Sequence, residues 1–185
     1  MSTSGIIETV SYIALLRGIN VGGNNIIKMA ELRECITGLG FENVRTYIQS
    51  GNILFESTDQ DSEVLETHIQ EAIAVQFSID LTVVVVKKQT LQKIINNAPS
   101  WWGKDDQWKH NLIFLIRPFV VKDIVAAIGE LKPDIEAIKA GDGVIYQSIS
   151  KESFGKTTSG KLASNPIYKK MTIRNFNTAN KLLTK

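Results

Sequence analysis

Apolar and polar positions fall in blocks whose period changes repeatedly along the chain. Tyr12 to Leu16 carries no charge and shows no alternation, the pattern of a short strand buried on both faces, and Gly18 marks its end. A glycine- and asparagine-rich segment follows. From about Met29 the period becomes helical, with Leu32, Cys35, Ile36 and Leu39 on one face and Gly40 as the stop. Val44 to Gln49 predicts a strand, Ser50-Gly51 a two-residue turn, and Asn52 onward the returning strand. That turn sets Gln49 opposite Asn52, Thr46 opposite Phe55 and Arg45 opposite Glu56, with Val44, Ile48, Ile53 and Phe55 on one face. Asp61 to Phe77 predicts a second helix with a stripe of Leu65, Ile69, Ala72 and Ile73, and the valine-rich Leu81 to Val86 predicts a strand. The first half therefore has the order β-α-β-β-α-β.

Residues 88–110 connect this half to a second one: a short helix to about Ala98, then a tryptophan-rich loop from Pro99 to Trp108. Trp101, Trp102 and Trp108 are expected to seal a seam between subdomains, with stacking on a base as the alternative. The order then restarts. Asn111 to Ile116 predicts a strand, Val120 to Leu131 a helix, and Ile135 to Ala140 and Val144 to Ser148 two strands around a Gly141–Gly143 turn. The repeated order predicts an α+β fold with an internal duplication: a first half over 10–87, a connecting segment over 88–110, and a second half over 111–185 closed by a C-terminal helix. Asn177 or Thr178 is the expected cap of that last helix.

With 185 residues, 43% hydrophobic and 22% charged, the composition is that of a globular protein rather than a disordered one. The first ten residues lack a basic n-region and a cleavable apolar stretch, and no apolar run reaches the length of a membrane span. With a single cysteine, Cys35, in register with a buried helix face, these features lead us to expect a cytoplasmic protein without membrane association. The charge is unevenly distributed. Residues 151–185 hold eight Lys/Arg against Glu152, a net of +7, and the first 150 residues carry −5. Because the basic segment also contains Leu162, Ile167, Phe176 and Leu182, it is expected to dock on the body.

The candidate chemistry sits in the glycine- and asparagine-rich loop. Gly22 and Gly23 free the backbone, Asn20, Asn24 and Asn25 tolerate left-handed conformations, and Arg17 and Lys28 stand at the two ends, a set suited to an anion. The corresponding strand-to-helix junction of the second half needs little more than Arg117-Pro118-Phe119, so the first-half loop exceeds its topological duty. It matches neither the Walker pattern nor the dinucleotide fingerprint, and an ordered loop packed by its own asparagines remains an equal reading. Arg174 is the remote candidate. His68 and His110 lack partners at metal-ligand spacing, no nucleophile–base arrangement stands out, and no catalytic residue, metal site or cofactor is assigned. The expected function is binding of a phosphate-bearing or other anionic small molecule at this loop. The alternative is a nucleic-acid-binding or protein-interaction module using the basic C-terminal segment. Nucleic acid is less favoured, since a net charge of +2 is low and the aromatic RNP pattern is absent.

RGINVGG at 17–23, TYIQSGN at 46–52 and TIRNFNT at 172–178, with WW at 101–102, resemble the signature segments of the bacterial family known as domain of unknown function 1697. The resemblance covers essentially the whole chain. It implies a cytosolic protein of two ferredoxin-like (βαββαβ-type) halves and brings no catalytic residue with it. Phe176 stands where many members have tryptophan.

Overall fold

The computed structural model describes residues 8–59 and 61–185; part of the N-terminal stretch considered for a targeting signal, residues 1–7, lies outside them. The fold is mixed α+β with two four-stranded antiparallel sheets. Two compact units divide the chain, the first running through Thr90 and the second starting at Leu91.

In the first unit, β1 (Val10–Leu16), α1 (Met29–Thr37), β2 (Glu42–Tyr47), β3 (Asn52–Ser57), α2 (Ser62–Phe77) and β4 (Val83–Lys87) follow in order, and the sheet runs β2-β3-β1-β4. The uninterrupted apolar run of β1 thus takes an inner position. Tyr12, Ala14 and Leu16 enter the core with Leu32 and Ile36 of α1 and Ile69 of α2, while Ile13 and Leu15 on the other face are buried as well. α2 starts where the Asp61 side chain accepts from Glu63 N. Its Gln70 and Glu66 side chains accept from Val83 N at 2.9 Å and Val85 N at 2.8 Å, pairing donors that an edge strand otherwise leaves open.

The β2–β3 register differs from the two-residue-turn expectation. Tyr47 faces Asn52 and Thr46 faces Ile53, so Ile48 to Gly51 form a four-residue connection. Tertiary contacts outrank the local turn here: Leu16 N donates to Gly51 O at 2.8 Å, and Asn52 Nδ2 donates to Tyr47 O at 3.0 Å. As a result Ile48 leaves the core face and is 46% exposed, and Arg45 meets Leu54 instead of Glu56. Glu42 stands opposite Glu56 across a break in register, where Asn43 Nδ2 donates to Glu56 at 2.6 Å.

α3 (Lys88–Asn96) contains the division, and its Leu91 and Ile94 are buried. The second unit continues with β5 (Trp108–Leu115), α4 (Val121–Ile128), β6 (Glu136–Ala140), β7 (Val144–Ser150), three short 3-10 turns between Phe154 and Lys170, β8 (Met171–Asn175) and α5 (Phe176–Thr184). The sheet order is β6-β7-β5-β8, so β5, like β1, is an inner strand. The basic C-terminal segment is built into this unit: Leu162, Ile167 and Met171 join Ile113, Ile124 and Ile145 in one core. β8 was not expected from the sequence, because Met-Thr-Ile-Arg-Asn is short and half polar; pairing of Ile173 with Ile113 defines it. The cap of α5 is Asn175, whose side chain accepts from Thr178 N at 2.8 Å, rather than Asn177 or Thr178, since β8 delivers the chain to the helix two residues earlier.

Candidate functional site

The β1–α1 connection runs over residues 17–28, twelve residues against five at the β5–α4 junction. Arg17 N still follows the sheet, donating to Thr82 O at 2.9 Å. Beyond it the chain makes a small hairpin tip. Asn24 N donates to Val21 O at 3.1 Å around Gly22 (φ 59°) and Gly23 (φ 78°), and two consecutive positive φ values are what a type I′ turn requires. Asn20 (φ 52°) and Asn25 (φ 48°) also take the left-handed region. Their side chains close the loop on itself: Asn25 Nδ2 donates to Gly18 O at 3.0 Å, and Asn20 exchanges bonds with Ile27, accepting from its N–H at 2.8 Å and donating to its carbonyl at 2.9 Å.

Seven of the eight residues singled out from the sequence therefore share one exposed, self-bonded loop. Arg17 is half-buried at its start. Lys28, at its end, is 80% exposed and 3.0 Å from Glu31. Val21 and Ile26 on the same loop are 60% and 72% exposed. Arg174 lies in the second unit, on β8 opposite Leu112, 7% exposed, where it donates to Thr172 Oγ1 and Ile173 O at 2.9 Å each. Burial pushes its guanidinium down to about 10 against an opposing pull from Tyr168, leaving it charged at neutral pH.

Within each unit two signature segments meet. Asn20 Nδ2 also donates to Gln49 O at 3.0 Å, and a Cβ on Gly51 would stand 2.9 Å from Ile19 and 2.8 Å from Leu16, so the first motif rests on the second. In the second unit Trp102 packs edge-on against Phe176 with ring centroids 4.8 Å apart, and a Cβ on Gly103 would fall 2.1 Å from the Phe176 ring. Phe176 thus fills an aromatic packing position without an indole N–H.

Two polar clusters of the second unit escaped sequence reasoning. Glu136 is 1% exposed and accepts four hydrogen bonds, from Lys132 N at 3.0 Å, Thr158 N at 2.8 Å, and Ser159 N and Oγ at 2.7 and 2.6 Å. His110 bridges Ser148 Oγ at 2.6 Å and Asp105 O at 2.7 Å; a carbonyl only accepts, so Nε2 carries a proton, and in the neutral ring Nδ1 accepts from the Ser148 hydroxyl. Neither cluster has a sequence spacing that announces it, since their partners are backbone groups or side chains 23 and 38 positions away. Burial raises the Cys35 thiol above its ordinary range, in keeping with a packing role. Among the described residues no group of three or more His, Cys, Asp or Glu is placed to hold a metal ion, and no helix is long and apolar enough to cross a membrane.

A family model described as "Protein of unknown function (DUF1697)" matches residues 10–146. A solved structure, of the conserved bacterial protein SP0830 from Streptococcus pneumoniae, is similar at 32% identity and a TM-score of 0.84, over 96% of this chain and 98% of that one. Comparison with curated proteins gives no match.

Proposed function

The chain belongs to the DUF1697 family of proteins of unknown function, and from that premise we propose that it binds an anionic small molecule, such as a phosphate ester, at the Arg17–Lys28 loop. The observation that carries this reading is preorganisation. Asn20 and Asn25 hold the loop closed through its own carbonyls, so a ligand does not bear the cost of ordering it. At the tip, a Cβ on Gly23 would meet nothing within 4 Å, and one on Gly22 only the Asn24 amide at 3.8 Å, which leaves the main chain open to close approach. Arg17 adds positive charge at one end, and Lys28, paired with Glu31, stands at the other. Thermal unfolding with phosphate esters, for the wild type and for Arg17→Gln, tests the proposal: stabilisation is expected in the first and weakened in the second.

A second reading places an anion, including the phosphates of nucleic acid, against the basic C-terminal segment. It draws on a cavity of about 260 Å³ lined by Lys132, Lys156, Lys161, Thr157, Thr158 and Asn165. Charge reversal at Lys156 and Lys161 would then reduce salt-dependent nucleic-acid binding.

We also propose that a duplication of ferredoxin-like halves, 10–87 and 111–185 with 88–110 as connecting segment, underlies the two units, residues 88–90 of that segment falling in the first and the rest in the second, and that the protein works in the cytoplasm. The duplication is supported by the matching sheet orders, with the first strand of each half inside its sheet. An α-helix stands between the third and fourth strands of the first sheet and three 3-10 turns stand at that place in the second, a difference that a later divergence explains.

A further inference from the structure

We propose that the second unit binds a small planar aromatic anion in a cavity over the Trp101–His110 segment, with Trp101 and Trp108 against its ring and Lys104 at its charge. The cavity holds about 390 Å³ and is lined by Trp101, Lys104, Asp105, Trp108, His110 and Ser148 among others, a size typical of small-ligand sites. A neighbouring cavity of about 450 Å³ shares Lys104, Asp105, Trp108 and His110 with it.

The three tryptophans divide by burial and by partner. Trp102 is 4% exposed, donates its indole N–H to Asn111 O at 2.9 Å, and meets Tyr146 and Phe176 edge-on. Packing fully accounts for it. Trp101 and Trp108 are only half-buried, and among the described residues neither has a ring partner or an acceptor for its indole N–H. Large aromatic faces lining a cavity in this state offer a planar molecule both area and a hydrogen-bond donor.

Commitments of the surrounding charges decide the sign. Lys151 donates its ammonium to Asp106 O, and Lys109 lies 5.4 Å over the Phe154 ring. The Asp105 carboxylate accepts from Gln107 N at 2.9 Å and that of Asp106 from the Gln107 amide at 3.3 Å. Lys104 lines both cavities, and among the described residues its ammonium has no acceptor. Asp105 also lines both cavities, but its carboxylate is turned to Gln107 N, so of the two ionic groups there Lys104 is the one whose charged end has, among the described residues, no hydrogen-bond partner for a ligand to displace. His110, held on both ring nitrogens, serves as a fixed wall.

The probes are 8-anilinonaphthalene-1-sulfonate, its uncharged parent N-phenyl-1-naphthylamine, and the cationic dye thioflavin T, titrated by fluorescence into the full chain. Saturable binding of the sulfonate is expected, tighter than that of the other two. Lys104→Gln, at an exposed position, should fold normally and weaken it about three- to fivefold, and Trp101→Ala should weaken it at least about fivefold. Lack of saturable binding overturns the proposal, as does equal or tighter binding of either comparison dye. Sulfonate binding that Lys104→Gln or Trp101→Ala leaves unchanged overturns it too, since the dye then sits elsewhere, for instance against exposed Val21 and Ile26.

Discussion

Asn20 joins three backbone groups with one side chain, the N–H and carbonyl of Ile27 and the carbonyl of Gln49, so its replacement acts on the loop and on the β2–β3 connection together. Asn20→Gly keeps the positive φ accessible and removes only these bonds, which should cost about 2 kcal/mol; Asn20→Ala adds left-handed strain of about 1 kcal/mol more. Chemical denaturation of the two variants separates the terms. The glycines differ for a different reason. Gly23→Ala meets open space and bears only the φ term, about 1 kcal/mol, whereas Gly51→Ala and Gly103→Ala also drive a methyl into Leu16 and Ile19 or into Phe176. Both should therefore lower the melting temperature much further than Gly23→Ala. Glu136 sets a pH response. Burial alone would raise its carboxyl, but hydrogen bonds from Ser159, Thr158 and Lys132 outweigh that and hold it below the ordinary value. The folded state thus releases this proton more readily than the unfolded one. The stabilisation is complete above an unfolded value of about 4.3 and is lost as pH falls through the lower folded value. Glu136→Gln should cost about 3 kcal/mol or more at pH 7, and the gap between its urea midpoint and that of the wild type should narrow below about pH 4.

At the scale of elements, the basic C-terminal segment is an integral part of a sheet and its core. A chain ended after Ser150 loses β8 as the partner of β5, together with buried Leu162, Ile167, Met171 and Leu182. Each of those side chains contributes about 1.5–3 kcal/mol of burial, so their loss together approaches the roughly 5–15 kcal/mol of a whole domain. The truncated protein should show no cooperative unfolding of its second unit, and a retained transition with wild-type near-ultraviolet dichroism would show that the segment is dispensable. Legibility followed the range of the determining contact. β1, α2 and the valine-rich β4 were plain in the sequence because burial of a whole face imposes its period locally. The β2–β3 register was not, because Gly51 is recruited by Leu16 and Ile19 rather than by its own turn. β8 was hidden for the same reason: its short, half-polar run becomes a strand only beside β5. In the candidate site, the glycine–asparagine loop was visible as a length surplus, while the bonds from its asparagines to Ile27 and Gln49 depend on geometry that no spacing encodes.

For the whole molecule, the family model stops at residue 146, yet the similarity to the Streptococcus pneumoniae protein extends over 96% of the chain, so the part beyond Tyr146 belongs to the shared structure. Signature segments pair within units, the first with the second and the Trp-Trp-Gly segment with the last, which gives each unit one contact between distant motifs. Arg174 is accounted for by its place in β8, and the anion proposal rests on the first unit alone. Its most direct test is the thermal unfolding of wild type and Arg17→Gln across a concentration series of phosphate, nucleotides and sugar phosphates at fixed ionic strength. Both proteins share the general salt effect, so the difference between them reports the site. The account predicts a rise for the wild type with at least one phosphate ester that grows with the logarithm of its concentration above Kd and reaches about 2.7 kcal/mol at a hundredfold excess, and an affinity about fivefold lower or worse for Arg17→Gln. Identical curves for the two proteins, or the absence of any rise in the wild type beyond the general salt effect, would contradict it.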